Sequence, residues 1–177
     1  MKIRIWPVLI SFVVTFAVLF GGYYFYQSYA LQSPLNEQIA QIDGVVSADS
    51  NLQDDEAVIT LELEPDASLR SVMEQIKQSG DDYIKNREIT LNIINSSSAA
   101  LNDWWSTMLF DVAEAMETKK YSEIPDLLKQ AENRLEGLET YAEMDDENVY
   151  VRLVHGDSTR FIILPRQPAK YVGWSNE

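Results

Sequence analysis

The sequence has no cysteine and one histidine, His155. Without thiols there is no disulfide, no thiol nucleophile, no covalent haem attachment and no thiolate zinc site. A lipid-modified cysteine anchor is excluded as well. One histidine cannot build a multi-histidine metal site within a chain. Basic residues are scarce, 14 against 28 acidic. Lys2 and Arg4 precede the first acid, Glu37, so twelve of those 14 share the rest of the chain with all 28 acids, a net charge near −16. Phosphate backbones repel such a surface, which argues against nucleic acid as a partner. Anionic lipid is disfavoured for the same reason. No glycine-rich loop able to cradle phosphate is present, and Gly21-Gly22 sits inside an apolar run. The serines form neither a Gly-x-Ser-x-Gly elbow nor a Ser-x-x-Lys pair.

What is abundant is apolar sequence near the start. Ile5 to Tyr26 reads IWPVLISFVVTFAVLFGGYYFY without a charge. As a helix it would rise about 33 Å, enough for a hydrocarbon core of about 30 Å. It is therefore expected to be a single membrane span through residues 5–26. Lys2 and Arg4 put the N-terminus in the cytoplasm by the positive-inside rule, and the rest of the chain outside. Trp6 at one end and Tyr23, Tyr24, Tyr26 and Tyr29 at the other are expected at the two membrane interfaces, where rings with one polar edge are favoured. The rival is a signal peptide cut at Ser28-Tyr29-Ala30. The apolar run is longer than such peptides use, and a tyrosine belt has no purpose in a discarded one. An exported domain without disulfides suits a bacterial cell membrane.

The remainder is predicted to be α+β. Ser33-Pro34 opens a short helix with Leu35, Ile39 and Ile42 on one face, closed by Gly44. Val45 to Leu52 and Ala57 to Glu64 read as strands. In the second, Ile59, Leu61 and Leu63 alternate with Thr60, Glu62 and Glu64. Asp66 or Ser68 caps a helix striped by Leu69, Val72, Met73 and Ile76, and Gly80-Asp81-Asp82 ends it. Glu88 to Asn95 alternates again. Residues 33–95 thus form an αββαβ module. Its element order and anchor are similar to the ring-building modules of flagellar, type III secretion and endospore inner-membrane rings, and equally to other small αββαβ domains.

Residues 96–168 are expected to pack on that module as one unit. Leu101, Trp105, Met108, Val112 and Met116 stripe a long helix, with Lys119-Lys120 in its last turn. Ile124, Leu127, Leu128, Ala131, Leu135 and Leu138 stripe a second, giving a helical hairpin. A β-hairpin follows, Asn148 to Val154 and Arg160 to Pro165, around His155-Gly156-Asp157-Ser158-Thr159. Residues 169–177 read as a tail, and 1–32 as cytoplasmic stub, anchor and juxtamembrane segment.

No catalytic, cofactor-binding or metal-binding residue is expected. His155 lies beside a turn that Gly156-Asp157 explains. Asp54-Asp55-Glu56, Asp81-Asp82 and Asp145-Asp146-Glu147 lie in turns and lack EF-hand spacing, so they read as solvated. The residue singled out for a partner is Trp104. Adjacent helical residues differ by about 100°, so with Trp105 on the stripe Trp104 falls at its edge or beyond. Exposed tryptophan is a common anchor for a protein partner. These features together predict a non-enzymatic, membrane-anchored extracytoplasmic interaction module of a bacterial envelope assembly, with a protein partner or self-association. The alternatives are a carboxylate-dependent wall-sugar hydrolase and an extracytoplasmic cation or ligand sensor.

Overall fold

The computed structural model describes residues 5–26, 33–53 and 55–166, without the side chains at 5, 7, 8, 24–26, 33, 81 and 82. Lys2, Arg4, the Ser28-Tyr29-Ala30 motif, Asp54, the tail 169–177 and the side chains of Tyr24 and Tyr26 lie outside that set. Helix α1 runs Ile5–Tyr26, 22 residues. Its side chains are described without a break over 9–23, and all of these are exposed. Among the described residues no helix is long and apolar enough to cross a membrane. The unbroken stretch 9–23 rises only about 21 Å, whereas the α1 backbone continues beyond it at both ends. Phe12, Phe16 and Phe20, four residues apart, form a stacked column with centroids 6.4 and 4.0 Å apart.

The rest of the described residues form an α+β fold with two three-stranded sheets. Helix α2 (Ser33–Ile39) turns Leu35 and Ile39 fully inward, and Ile42 follows in the turn after it. Strand β1 (Val45–Leu52) pairs antiparallel with β2 (Glu56–Leu63). Strand β3 (Glu88–Ile94) pairs parallel with β2, which requires a crossover, supplied by helix α3 (Leu69–Ser79) and the short turn α4 (Asp81–Ile84). Ala57, Ile59, Leu61 and Leu63 all point into the core, and so do Leu69, Val72, Met73 and Ile76 of α3. The αββαβ order of the first half therefore follows from its hydrophobic periods. Gly44 is a correction of detail. Helix α2 has ended by Ile39, and Gly44, at φ +84°, instead leads into β1. A Cβ there would come within 2.8 Å of Ala67 Cβ.

The second half departs further from expectation. Helix α5 (Ala99–Glu117) starts at the Ser98 cap, whose hydroxyl accepts from Leu101 N–H. It ends before the lysines rather than under them. Lys119 takes φ +58°, Lys120 N–H bonds Ala115 C=O at 2.8 Å and Lys119 N–H bonds Met116 C=O at 3.2 Å. That is a Schellman cap with lysine where glycine is usual. Helix α6 is short (Ile124–Ala131), and the predicted extension to Leu138 does not occur. A 3₁₀ turn at Glu132–Arg134 and Gly137 at φ +79° stop it. Leu138 then opens a strand that the sequence reading missed, β4 (Leu138–Met144).

Strand β4 pairs with β5 (Asn148–His155), which pairs with β6 (Ser158–Pro165), all antiparallel. The expected C-terminal hairpin thus supplies the central and one edge strand of a three-stranded sheet. Its turn is only Gly156-Asp157, with Gly156 at φ +57°, because His155 and Ser158 already pair. Helices α5 and α6 cover one face, where Leu138, Val149, Val151 and Leu153 are buried. The opposite face sends Tyr150 and Phe161 into the core of the first half, with Ile163 packed against it. Asn95 joins the two sheets: its side-chain oxygen accepts from Phe161 N–H at 2.7 Å, and Ser96 bridges to Thr159.

Candidate interaction surface

Trp104 is the first point at which the structure overturns a site expectation. Both tryptophans are 5% exposed and belong to the core between α5, α6 and the second sheet. The Trp104 indole N–H donates to Ala131 C=O at 3.1 Å. Trp104 lies near the start of α5 and Ala131 at the end of α6, so this bond fixes the two helices antiparallel. A buried ring already bonded to a neighbouring helix cannot serve a partner. Helix α5 has the sheet below it and α6 beside it, which widens its buried arc enough to take in both rings.

The exposed apolar side chains of α5 lie elsewhere. Leu101, Trp104, Trp105, Met108, Val112 and Ala115 define the inward arc. At about 100° per residue, Phe110 falls opposite the middle of that arc. It is 80% exposed, and the adjoining Leu109 is 46% exposed. Asp103, Asp111, Glu114 and Glu117 surround Phe110 and are also exposed. The ion pairs among the described residues are Lys77–Glu147, Lys120–Glu123 and Lys129–Glu132, so these four acids have no cationic partner there. A large aromatic ring stands out of an acidic helix face. The helical wheel of the sequence contained this signal, but attention to the adjacent tryptophans hid it.

The seam between α3 and the β4–β5 hairpin holds the two described clefts. One, about 140 Å³, is lined by Ser68, Tyr141, Glu143 and Arg152. Ser68 caps α3 and donates to Glu143, 2.9 Å from each oxygen. The Arg152 guanidinium lies 4.1 Å from the Tyr141 ring centroid and donates to the carbonyls of Pro65 and Ala67. The other, about 280 Å³, runs past Arg70, Glu74, Lys77 and the Asp145-Asp146-Glu147 turn. Lys77 and Glu147 close across it at 2.6 Å. Ser68–Glu143, Arg152 with Pro65 and Ala67, and Lys77–Glu147 thus join the two halves of the fold.

Asp55, Asp146 and Glu147 are exposed, as a solvated turn requires, but Asp145 and Glu56 are partly buried and hydrogen-bonded. Asp145 Oδ1 accepts from the N–H groups of Glu147 and Asn148, and Oδ2 accepts from Tyr150 hydroxyl at 2.6 Å. Burial opposes its charge, but the bonds from Tyr150, Asn148 and Glu147 outweigh that and hold the carboxyl below its ordinary range. Burial and donation to Asp145 push the Tyr150 phenol well up. Asp55 and Glu56 lie at the β1–β2 turn, and Glu56 accepts from Thr90 at 2.7 Å. Among the described residues no three histidine, aspartate or glutamate side chains are placed to hold a metal ion. His155 ends β5 at the tight turn.

Because Asp145 has a lowered native pKa, its contribution to stability is complete above the unfolded value of 3.8 and disappears as pH falls through the native one. Asp145→Asn is expected to melt lower than the parent at pH 7 and to show a shallower loss of melting temperature between about pH 5 and pH 2. Parallel melting curves for both proteins across that range check this; equal slopes would contradict it. Comparison of the chain with protein-family models, curated proteins and solved structures finds no match.

Proposed function

We propose that this chain is a non-enzymatic, single-pass membrane protein whose folded part lies outside the cytoplasm and serves as an interaction module in a bacterial envelope assembly. The observation that carries the interaction reading is the outer face of α5, where Phe110 is 80% exposed and Leu109 half-exposed, while Leu101, Trp104, Trp105, Met108 and Val112 of the same helix are buried. A large exposed aromatic ring costs solubility and is a common centre of binding energy. The anchor reading rests on the 22-residue uncharged helix Ile5–Tyr26, about 33 Å long at helical rise. Exposed phenylalanines along it suit lipid better than water, and Trp6 and Tyr23, both exposed, stand near its ends.

The chain is expected to remain in the membrane fraction after carbonate washing, and protease added to spheroplasts should remove the folded part. A soluble mature chain beginning at Leu31 would overturn the anchor. Protection from external protease would reverse the orientation.

A further inference from the structure

We infer that the Phe110 face of α5 docks a protein partner that offers an apolar pocket rimmed by lysine or arginine, an inference that rests on the interaction-module reading above. A ring opposite the buried arc of a helix is a convex feature, so its complement is concave and apolar. The exposed rim is Asp103, Asp111, Glu114 and Glu117, with no base on α5 itself. Lys119 and Lys120 come just past the helix end, and Lys120 is paired with Glu123 at 3.2 Å. Four carboxylates around the ring, without an ion pair among the described residues, attract cationic side chains and raise the rate of encounter with them. The same charges repel a second copy of this face, which would set acid against acid, and they repel an anionic lipid surface. A basic protein surface is the occupant that this charge pattern favours.

The test uses the full-length chain in its native membrane with a photo-crosslinking residue at Ser106, one helical turn before Phe110 and exposed. Asn92, exposed on β3 of the first sheet, carries the same crosslinker as a second site. The expected product at 106 is a heterologous protein whose crosslinked peptide, read by mass spectrometry, bears lysine or arginine beside apolar residues. Its yield should fall about fivefold or more between 0.05 and 0.5 M salt, since screening weakens exposed charge pairs. Phe110→Ala should weaken capture about thirtyfold, as loss of a central aromatic anchor does, without changing the melting temperature. The double change Asp111→Lys with Glu114→Lys should abolish it. Crosslinking to a second copy, to lipid or to an acidic peptide overturns the inference. So does partner capture at 92 with none at 106, which leaves the interaction-module reading standing. No protein captured at either site removes both.

Discussion

Replacing Trp104 by alanine is expected to destabilise the folded part by about 3–5 kcal/mol, as much as replacing Trp105. Both rings are buried to the same degree, and each would leave a large void between α5, α6 and the second sheet. Trp104 carries an added cost. Without its indole N–H, Ala131 C=O loses one hydrogen bond at the end of α6, at a cost of about 0.5–1.5 kcal/mol. Trp104→Phe should therefore recover most of the packing while remaining short of the parent by about that hydrogen-bond cost. Small domains are stable by about 5–15 kcal/mol, so either alanine variant uses a large part of the margin. Denaturant titration of the three variants decides the matter. A Trp104→Ala variant as stable as the parent would mean that the ring is not in the core.

Leu61→Asp and Leu128→Asp are expected to have effects of similar size or larger, each enough to unfold the domain. Leu61 is fully buried at the centre of β2 and Leu128 nearly so on α6. A carboxylate at either site must be desolvated without a partner or take up a proton, at a cost of several kcal/mol. Glu62→Lys, one residue further along the same strand, faces outward. It gives up one exposed hydrogen bond from the Ser47 hydroxyl, which is worth little. Circular dichroism and melting of the three proteins separate them. Comparable damage at positions 61 and 62 would show that the strand register is wrong.

The first half of the fold was legible because each element buries one clean face. In β2 the alternation of Ile59, Leu61 and Leu63 with Thr60 and Glu62 leaves no ambiguity of face, and the α3 stripe matches the buried set residue for residue. The second half was less legible because its sheet is covered on both sides. In β4, Leu138 faces the helices, while on the opposite face Glu143 accepts from Ser68 of the first half and Tyr141 lies under Arg152 of β5, whose guanidinium reaches the Pro65 and Ala67 carbonyls of the first half. Polar side chains occupied in that way erase the period-two signal, and Leu135 and Leu138 happen to continue the spacing of α6. Gly137 was the available warning, since its positive φ ends a helix cleanly. Trp104 was misplaced because a single-sided stripe was assumed for a helix with two packing neighbours. The same wheel contained Phe110, but exposure of one apolar residue says nothing until the burial of the others is known.

The placement of Phe161 has a consequence in time. The first core includes Leu35 and Ile39 at one end of the chain and Phe161 near the other end of the described part. A ribosome delivers residues in order, so the early strands and α3 exist long before the side chains that finish their core. Until β6 has emerged, that core lacks Tyr150 and Phe161 as a wall, and the chain between Ile94 and Phe161 must close as a loop before the wall arrives. Long-range closure of this kind slows folding. The α2–β3 segment must therefore wait, partly open, for the last strand to be made.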